Sequence, residues 1–198
     1  SWINYDSSPT LVLSKIPLVG RPLLKLLKGP DWPRDTKYGD VVRGLPLQNE
    51  SCKLIFCSHM LEHLSLSDFR VAIQNISNYL EPGGIFRLIV PDFEIYAKRY
   101  IEKITQGNHK HAAAIEFIKD TDLGYENSRS GFVSRLREAL ANSRHQWLWD
   151  KYSLIEILER HGYRNIHQCQ FGEWADLRFS EVEDHGRHID SICIECSK

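Results

Sequence analysis

No stretch of this sequence stays apolar for long. The most apolar segment, LVLSKIPLVGRPLLKLL (11–27), is interrupted by Lys15, Pro17, Arg21, Pro22 and Lys25. It falls short of the roughly 20 apolar residues that a membrane-spanning helix needs. Charge of one sign is lacking as well. The 25 Lys and Arg residues offset 26 Asp and Glu for a net charge of −1, which excludes a global basic field for nucleic acid or a membrane surface. Cysteines number five, an odd count without a regular framework, which argues against a disulfide scaffold. Cys193 and Cys196 stand three apart in the alternating run SICIECSK, where a strand puts them on opposite faces and offers no helix start to activate a thiol. The first ten residues, from Ser1 to Thr10, have neither a basic start nor an apolar core, so no secretory signal is read there. The sole methionine is Met60, and the chain opens almost inside a strand-like run, so a cut start is expected. A reducing, cytoplasmic setting is the expectation.

What is present suits one globular domain spanning 1–198. Its 198 residues, 42% of them hydrophobic, suffice for a sizeable core. WINY (2–5) reads as a short strand ending at Asp6, and YGDVV (38–42) as a second. Residues 11–28 read as irregular or helical, divided at Pro17 and Pro22. KLIFCS (53–58) and IFRLIV (85–90) have the continuous apolar character of buried parallel strands. Between them, Ser65 and Asp68 form a capping pattern, and Phe69, Ala72, Ile73, Ile76 and Leu80 recur at helical spacing until EPGG (81–84) stops the helix. Helices are expected near 93–105, 110–120, 132–141 and 151–162, the last capped by Asp150, with a polar loop or lid at 122–131. NIHQCQF (165–171) and SICIEC (191–196) read as an antiparallel strand pair joined by a charged loop. The alternation of strand and helix predicts an α/β, mostly parallel sheet, with ligands beyond the C-terminal strand ends. Those ends are Asp6, Asp40, Ser58-His59 and Pro91-Asp92.

The stretch YGDVVRGLPLQNESCKLIFCSHMLEHLSLSDFRVAIQNISNYLEPGGIFRLIVPDFE (38–94) resembles the middle of a class I S-adenosylmethionine-dependent methyltransferase. The similar branch is the broad type 11 group, which includes members linked to sugar and surface-polysaccharide genes. The ordered pattern is strand, acid, Leu-Pro, strand, S-H-x-L-E-H-L, helix, L-x-P-G-G, strand, V-P-D. It extends upstream through WINY and Asp6 to Pro9, and downstream to HQWLWDKYSLIEILERHGYRNI. The resemblance implies a Rossmann-like sheet and S-adenosylmethionine as cofactor. It also implies methyl transfer to a small-molecule or sugar acceptor, with no nucleic-acid partner and no membrane span. It implies that Asp6 accepts hydrogen bonds from the ribose hydroxyls and that Asp40 and Leu45 line the adenine. Ser58 and His59 then lie beneath the methionine moiety, and Glu62 and His63 begin the next helix near the substrate. His59 and His63 are the candidate bases. No metal is assigned, and the oligomeric state is left open.

Such enzymes carry a G-x-G-x-G loop after their first strand, upstream of the point where this chain opens. An N-terminally incomplete domain with the first strand missing is therefore expected, and a non-catalytic fragment or binding module stays as an alternative. Plainer roles stand beside each residue. Asp6 could cap the loop that runs through Ser7 and Ser8 to Pro9, and Asp150 is read as a cap. His145 and Trp147 could line a substrate pocket or form an aromatic packing cluster. His185 and His188 are read as solvated. A distant alternative treats His59-x-x-Glu62-His63 as a zinc-hydrolase motif, which needs both histidines on one helix face.

Overall fold

The computed structural model describes residues 2–27, 29–106, 110–124 and 144–198. The helix expected at 132–141 and residues 125–131 of the loop expected at 122–131 lie outside these described residues. The described residues form two compact units: those within 2–46, and those within 47–124 together with 144–198.

In the first unit, β1 (Tyr5–Asp6) pairs in parallel with β2 (Lys37–Tyr38). Both are shorter than expected. WINY enters the ladder only at Tyr5. YGDVV leaves it because Asp40 turns the chain, accepting the Val42 amide at 2.9 Å on its own Oδ1 and bridging to Gly44. A self-satisfied Asx turn competes with strand pairing. Helix α1 (Pro9–Ser14) starts at Ser8, whose side chain accepts the Thr10 amide. Helix α2 (Gly20–Leu26) follows. Pro17 separates the two helices, as read. Pro22 does not divide the second, because it sits in the first turn, where a missing N–H costs nothing.

In the second unit, four strands form a sheet in the order β3-β4-β6-β5. They are β3 (Cys52–Ser58), β4 (Leu80–Pro91), β5 (Arg164–Gln168) and β6 (Ser191–Ser197). β3 and β4 are parallel and joined by α3 (Leu66–Tyr79), while β6 runs antiparallel to both β4 and β5. This is the predicted α/β sheet with an antiparallel C-terminal pair. Ser65 caps α3 by accepting the Asp68 amide at 3.2 Å. Phe69, Ala72, Ile73 and Ile76 bury its inner face. β4 begins five residues before the expected Ile85. Its Gly84 comes so close to β3 that a Cβ there would lie 3.0 Å from the Cys52 carbonyl oxygen. The EPGG segment thus ends the helix and also admits the chain to the sheet.

Helices α4 (Phe93–Gln106), α5 (Ala113–Asp120) and α6 (Lys151–Arg160) follow their expected places. Asp150 caps α6 through the Ser153 amide at 2.8 Å. The charged segment before β6 is not an open loop. It holds two short 3-10 turns, Leu177–Glu181 and His185–His188, and buries Phe179 completely. Its anchor is Arg87 in the middle of β4, itself fully buried. That guanidinium donates to Glu183 at 2.7 Å, to Glu195 at 3.0 Å, and to the carbonyls of Glu173 and Gln170. His188 is therefore not solvated as expected, since it lies 2.9 Å from the buried Glu183. Among the described residues no helix is long and apolar enough to cross a membrane.

Candidate active site

The C-terminal ends of β3 and β4 lie side by side. Ser58 pairs with Ile89, and the His59 amide donates to the Ile89 carbonyl at 2.9 Å. His59 then adopts a left-handed conformation, φ 49°, which breaks the strand direction and turns the chain out at the rim. Ser58 Oγ is buried there without a hydrogen-bond partner among the described residues. Beyond it, Leu61–His63 forms a separate 3-10 turn. Contrary to the expectation that they begin the next helix, Glu62 and His63 do not open α3, because Ser65 caps that helix after them. His59 and His63 consequently share no helix face, and the arrangement needed by the zinc-hydrolase alternative is not formed.

The segment 144–149 closes over this turn. Gln146 and Trp147 donate their amides to the Glu62 carbonyl at 2.8 and 3.1 Å, and Gln146 Nε2 donates to the His63 carbonyl at 2.7 Å. Trp149 bridges in parallel to Asp92 at the end of β4 and packs on Phe69, ring centroids 4.3 Å apart. His145 is thereby brought against His63, their rings 5.0 Å apart. The cluster is recognisable only once the fold is known, because neither His145 nor its spacing forms a motif with residues 59–63.

Glu62 lies at the centre. It is 0% exposed, and neither carboxylate oxygen accepts a hydrogen bond among the described residues. His59 Nδ1 stands 3.3 Å and His145 Nε2 3.9 Å from its Oε1. Burial works against a charge on His59, but the Glu62 carboxylate and the Arg187 carbonyl, 2.8 Å from Nε2, outweigh it and raise the imidazole above its ordinary value. His145 moves the other way, because burial outweighs Glu62 and holds it below its ordinary value. A third imidazole, His63, has Nδ1 3.2 Å from the Arg144 carbonyl.

In the first unit, Asp6 ends β1, accepts the Ser8 amide at 2.6 Å and is half-buried. Burial raises its carboxyl above the usual range, against the pull of that hydrogen bond. Asp40 is occupied in its turn. Leu45 and Tyr5 close over Gly39, where a Cβ would lie within 2.6 Å and 2.7 Å of their side chains. The structure thus unites Ser58, His59 and His63 in one body, and Asp6, Asp40 and Leu45 in the other.

A family model described as a methyltransferase domain matches residues 23–168. The chain belongs to that family. The class I S-adenosylmethionine-dependent resemblance read from the sequence therefore stands, and S-adenosylmethionine is the cofactor of that class. No curated protein matches the chain. Solved structures similar to it include a SAM-dependent methyltransferase from Archaeoglobus fulgidus, 13% identical with a TM-score of 0.43, covering 83% of this chain and 67% of its own. A protein from Pyrococcus horikoshii is 12% identical with a TM-score of 0.49, covering 98% and 69%. Human N-acetylserotonin methyltransferase, solved in complex with SAM, is 12% identical with a TM-score of 0.41, covering 85% and 35%. This methyltransferase domain spans about two thirds of the length of the first two.

Two features of the methyltransferase domain fit such a cofactor. Ser58 Oγ, buried at the strand end and without a hydrogen-bond partner among the described residues, has bonding capacity that a ligand could use. Asp6 holds a carboxylate half out of water, a cost that the hydroxyls of a ribose diol would offset by donating to it.

Proposed function

We propose that this domain transfers a methyl group from S-adenosylmethionine to a small-molecule acceptor, with a sugar hydroxyl as the favoured class. The family match over residues 23–168 supports methyl transfer, and the sugar class follows from the resemblance of residues 38–94 to the type 11 branch. When bound, the cofactor supplies a methyl already activated on a sulfonium. The protein's task is to orient donor and acceptor and to take a proton from the acceptor oxygen. The resemblance assigns Asp6 of the first unit to the ribose hydroxyls and Asp40 and Leu45 to the adenine, and it assigns Ser58 and His59 of the second unit to the methionine end.

The two candidate bases differ in what their rings already do. His59 has Nε2 against the Arg187 carbonyl and Nδ1 facing Glu62. An imidazole held between two acceptors is best protonated, so His59 serves as a fixed positive group. Among the described residues His63 has Nδ1 engaged, with the Arg144 carbonyl. Donation from Nδ1–H leaves Nε2 with its lone pair, the form a base requires. The proton-accepting role therefore falls to His63.

Calorimetric titration of the 198-residue chain with S-adenosylmethionine tests cofactor binding. Incubation with the same donor and a panel of nucleotide sugars, read by mass spectrometry for one added methyl, tests the acceptor class. Absence of cofactor binding by the folded chain favours a binding module of the same fold. Binding with methylation of a different acceptor class overturns the sugar assignment alone.

A further inference from the structure

We propose that Glu62, His63 and His145 hold a divalent transition-metal cation. Each offers one ligand atom, and the three atoms lie within 4.8 Å of one another. A buried carboxylate is normally hydrogen-bonded, paired or bound to a metal, since leaving it bare in a low dielectric is costly. Glu62 is 0% exposed and accepts no hydrogen bond on either oxygen among the described residues. Among those residues the groups that pair with it are imidazoles alone.

The histidines are prepared in the manner of ligands. A metal-bound imidazole usually donates its other N–H to a carbonyl or carboxylate, which fixes ring and tautomer. His145 Nδ1 lies 2.8 Å from the Thr121 carbonyl, and His63 Nδ1 lies 3.2 Å from the Arg144 carbonyl. In both rings the nitrogen left with a lone pair is Nε2. For His145 that atom is the one 3.9 Å from Glu62 Oε1, against roughly 3.4 Å between two ligands of a tetrahedral ion with bonds near 2.1 Å. Modest ring movement closes the difference. Two imidazoles and one carboxylate suit zinc, manganese or cobalt, and leave coordination positions open.

A second group, Glu183, His188 and Cys193, has comparable ligand spacing. Its glutamate is already satisfied by Arg87 and Trp174, and its thiol is engaged with Cys169. A cation there would compete with a guanidinium. At Glu62 a cation would compete with the His59 imidazole, 3.3 Å from Oε1, whose other ring nitrogen stays held by the Arg187 carbonyl.

The consequence deepens the methyl-transfer reading and rests on it only for the substrate. An acceptor hydroxyl on the open position would lose its proton to water more readily; in the metal-loaded domain His63 would serve as a ligand, and its role as base is that of the metal-free domain. Cation binding itself is independent of cofactor and acceptor. The chain is freed of metal with a chelator and titrated with Zn²⁺ and Mn²⁺ by calorimetry, with bound metal counted by mass spectrometry. One ion per chain is expected, weakened more than about 100-fold in Glu62→Gln and in His145→Gln, since losing a ligand should exceed the 10–100-fold typical of an outer partner. His188→Gln should bind like the parent. Circular dichroism establishes that each variant is folded. The inference is overturned if the folded parent binds no ion, if both variants bind as well as the parent, or if His188→Gln alone abolishes binding. Methyl transfer that is unchanged by chelation removes the catalytic role while leaving the binding result intact. Metal binding without methyl transfer leaves this site standing and tells against the methyltransferase activity.

Discussion

Arg87 and Glu183 form an ion pair 2.7 Å long in which neither side chain is exposed. The partners come from the central strand β4 and from the segment between β5 and β6, so one contact fastens the second unit's last turns to its sheet. Breaking a buried pair on one side strands the other charge. Arg87→Met should cost about 3–5 kcal/mol and also strip Glu195 Oε2 of its donor, leaving that carboxylate the Ala175 amide at 3.2 Å on Oε1. Urea unfolding of the variant checks this, and a loss below about 1 kcal/mol, the range of an exposed pair, would refute it.

The same pair sets a pH dependence. Burial opposes ionisation of Glu183, but the hydrogen bonds from Arg87 and Trp174 and the nearby His188 imidazole outweigh it, and its folded carboxyl lies below the ordinary value. A depressed carboxylate contributes stability that is present above the unfolded value, about 4.3, and is lost as pH falls through the folded value. Acid titration of thermal stability should therefore show a decline below about pH 4.3. Glu183→Gln should be less stable at pH 7 and show a shallower decline. Equal slopes in parent and variant would assign the acid loss to other groups.

Arg87 also shows where the sequence stops being readable. IFRLIV reads as a buried strand, and it is one, but nothing in the run says that its arginine is buried too. Its partners lie far along the chain, in a segment whose charges look like those of a solvated loop. Features set within a few residues were legible: Ser65 before Asp68, Asp150 before Ser153, and the apolar faces of α3 and α6. The short strand β2 was over-read because Asp40 satisfies its own turn, a competition that propensity does not weigh. In the candidate site, Ser58 and His59 at a strand end were legible from the strand before them. The Glu62–His145 proximity was not, because the fold alone brings residue 145 to the rim.

Legible caps give the mildest prediction. Asp150 accepts the Ser153 amide at 2.8 Å, and α6 carries the buried Leu154 and Leu158 into the core. Asp150→Ala should cost about 1 kcal/mol, within 0.5–2 for a lost N-cap, while Asp150→Ser should restore most of it. Equilibrium denaturation distinguishes the two. A catalytic Asp150 would instead lose methyl transfer in both variants at unchanged stability.

Asp6 should separate stability from function. Its carboxyl is raised above the usual range because burial outweighs the Ser8 hydrogen bond. Burial thus opposes the charge that a ribose contact needs. Asp6→Asn removes that charge but keeps an oxygen able to accept the Ser8 amide. Thermal stability at pH 7 should be unchanged or higher. Affinity for S-adenosylmethionine should fall by roughly 10- to 150-fold, the equivalent of a lost hydrogen bond to a charged group at 1.5–3 kcal/mol. Unchanged affinity in calorimetry would return Asp6 to the role of a loop cap.

His59 and His63 should respond differently to the same substitution. His59 is held between the Arg187 carbonyl and Glu62, and its loss leaves a buried carboxylate with less compensating charge. His59→Gln should therefore lower stability as well as activity. His63 has one ring nitrogen engaged, and His63→Gln keeps a side chain that can reach the Arg144 carbonyl. Its stability should change by less than about 1 kcal/mol, the net worth of one hydrogen bond. Its kcat should fall by roughly 10²–10⁴, the range for losing a proton acceptor. Denaturation and steady-state kinetics on both variants make the comparison. If His63→Gln keeps full kcat, the proton is taken elsewhere, and the imidazole is a packing partner of His145.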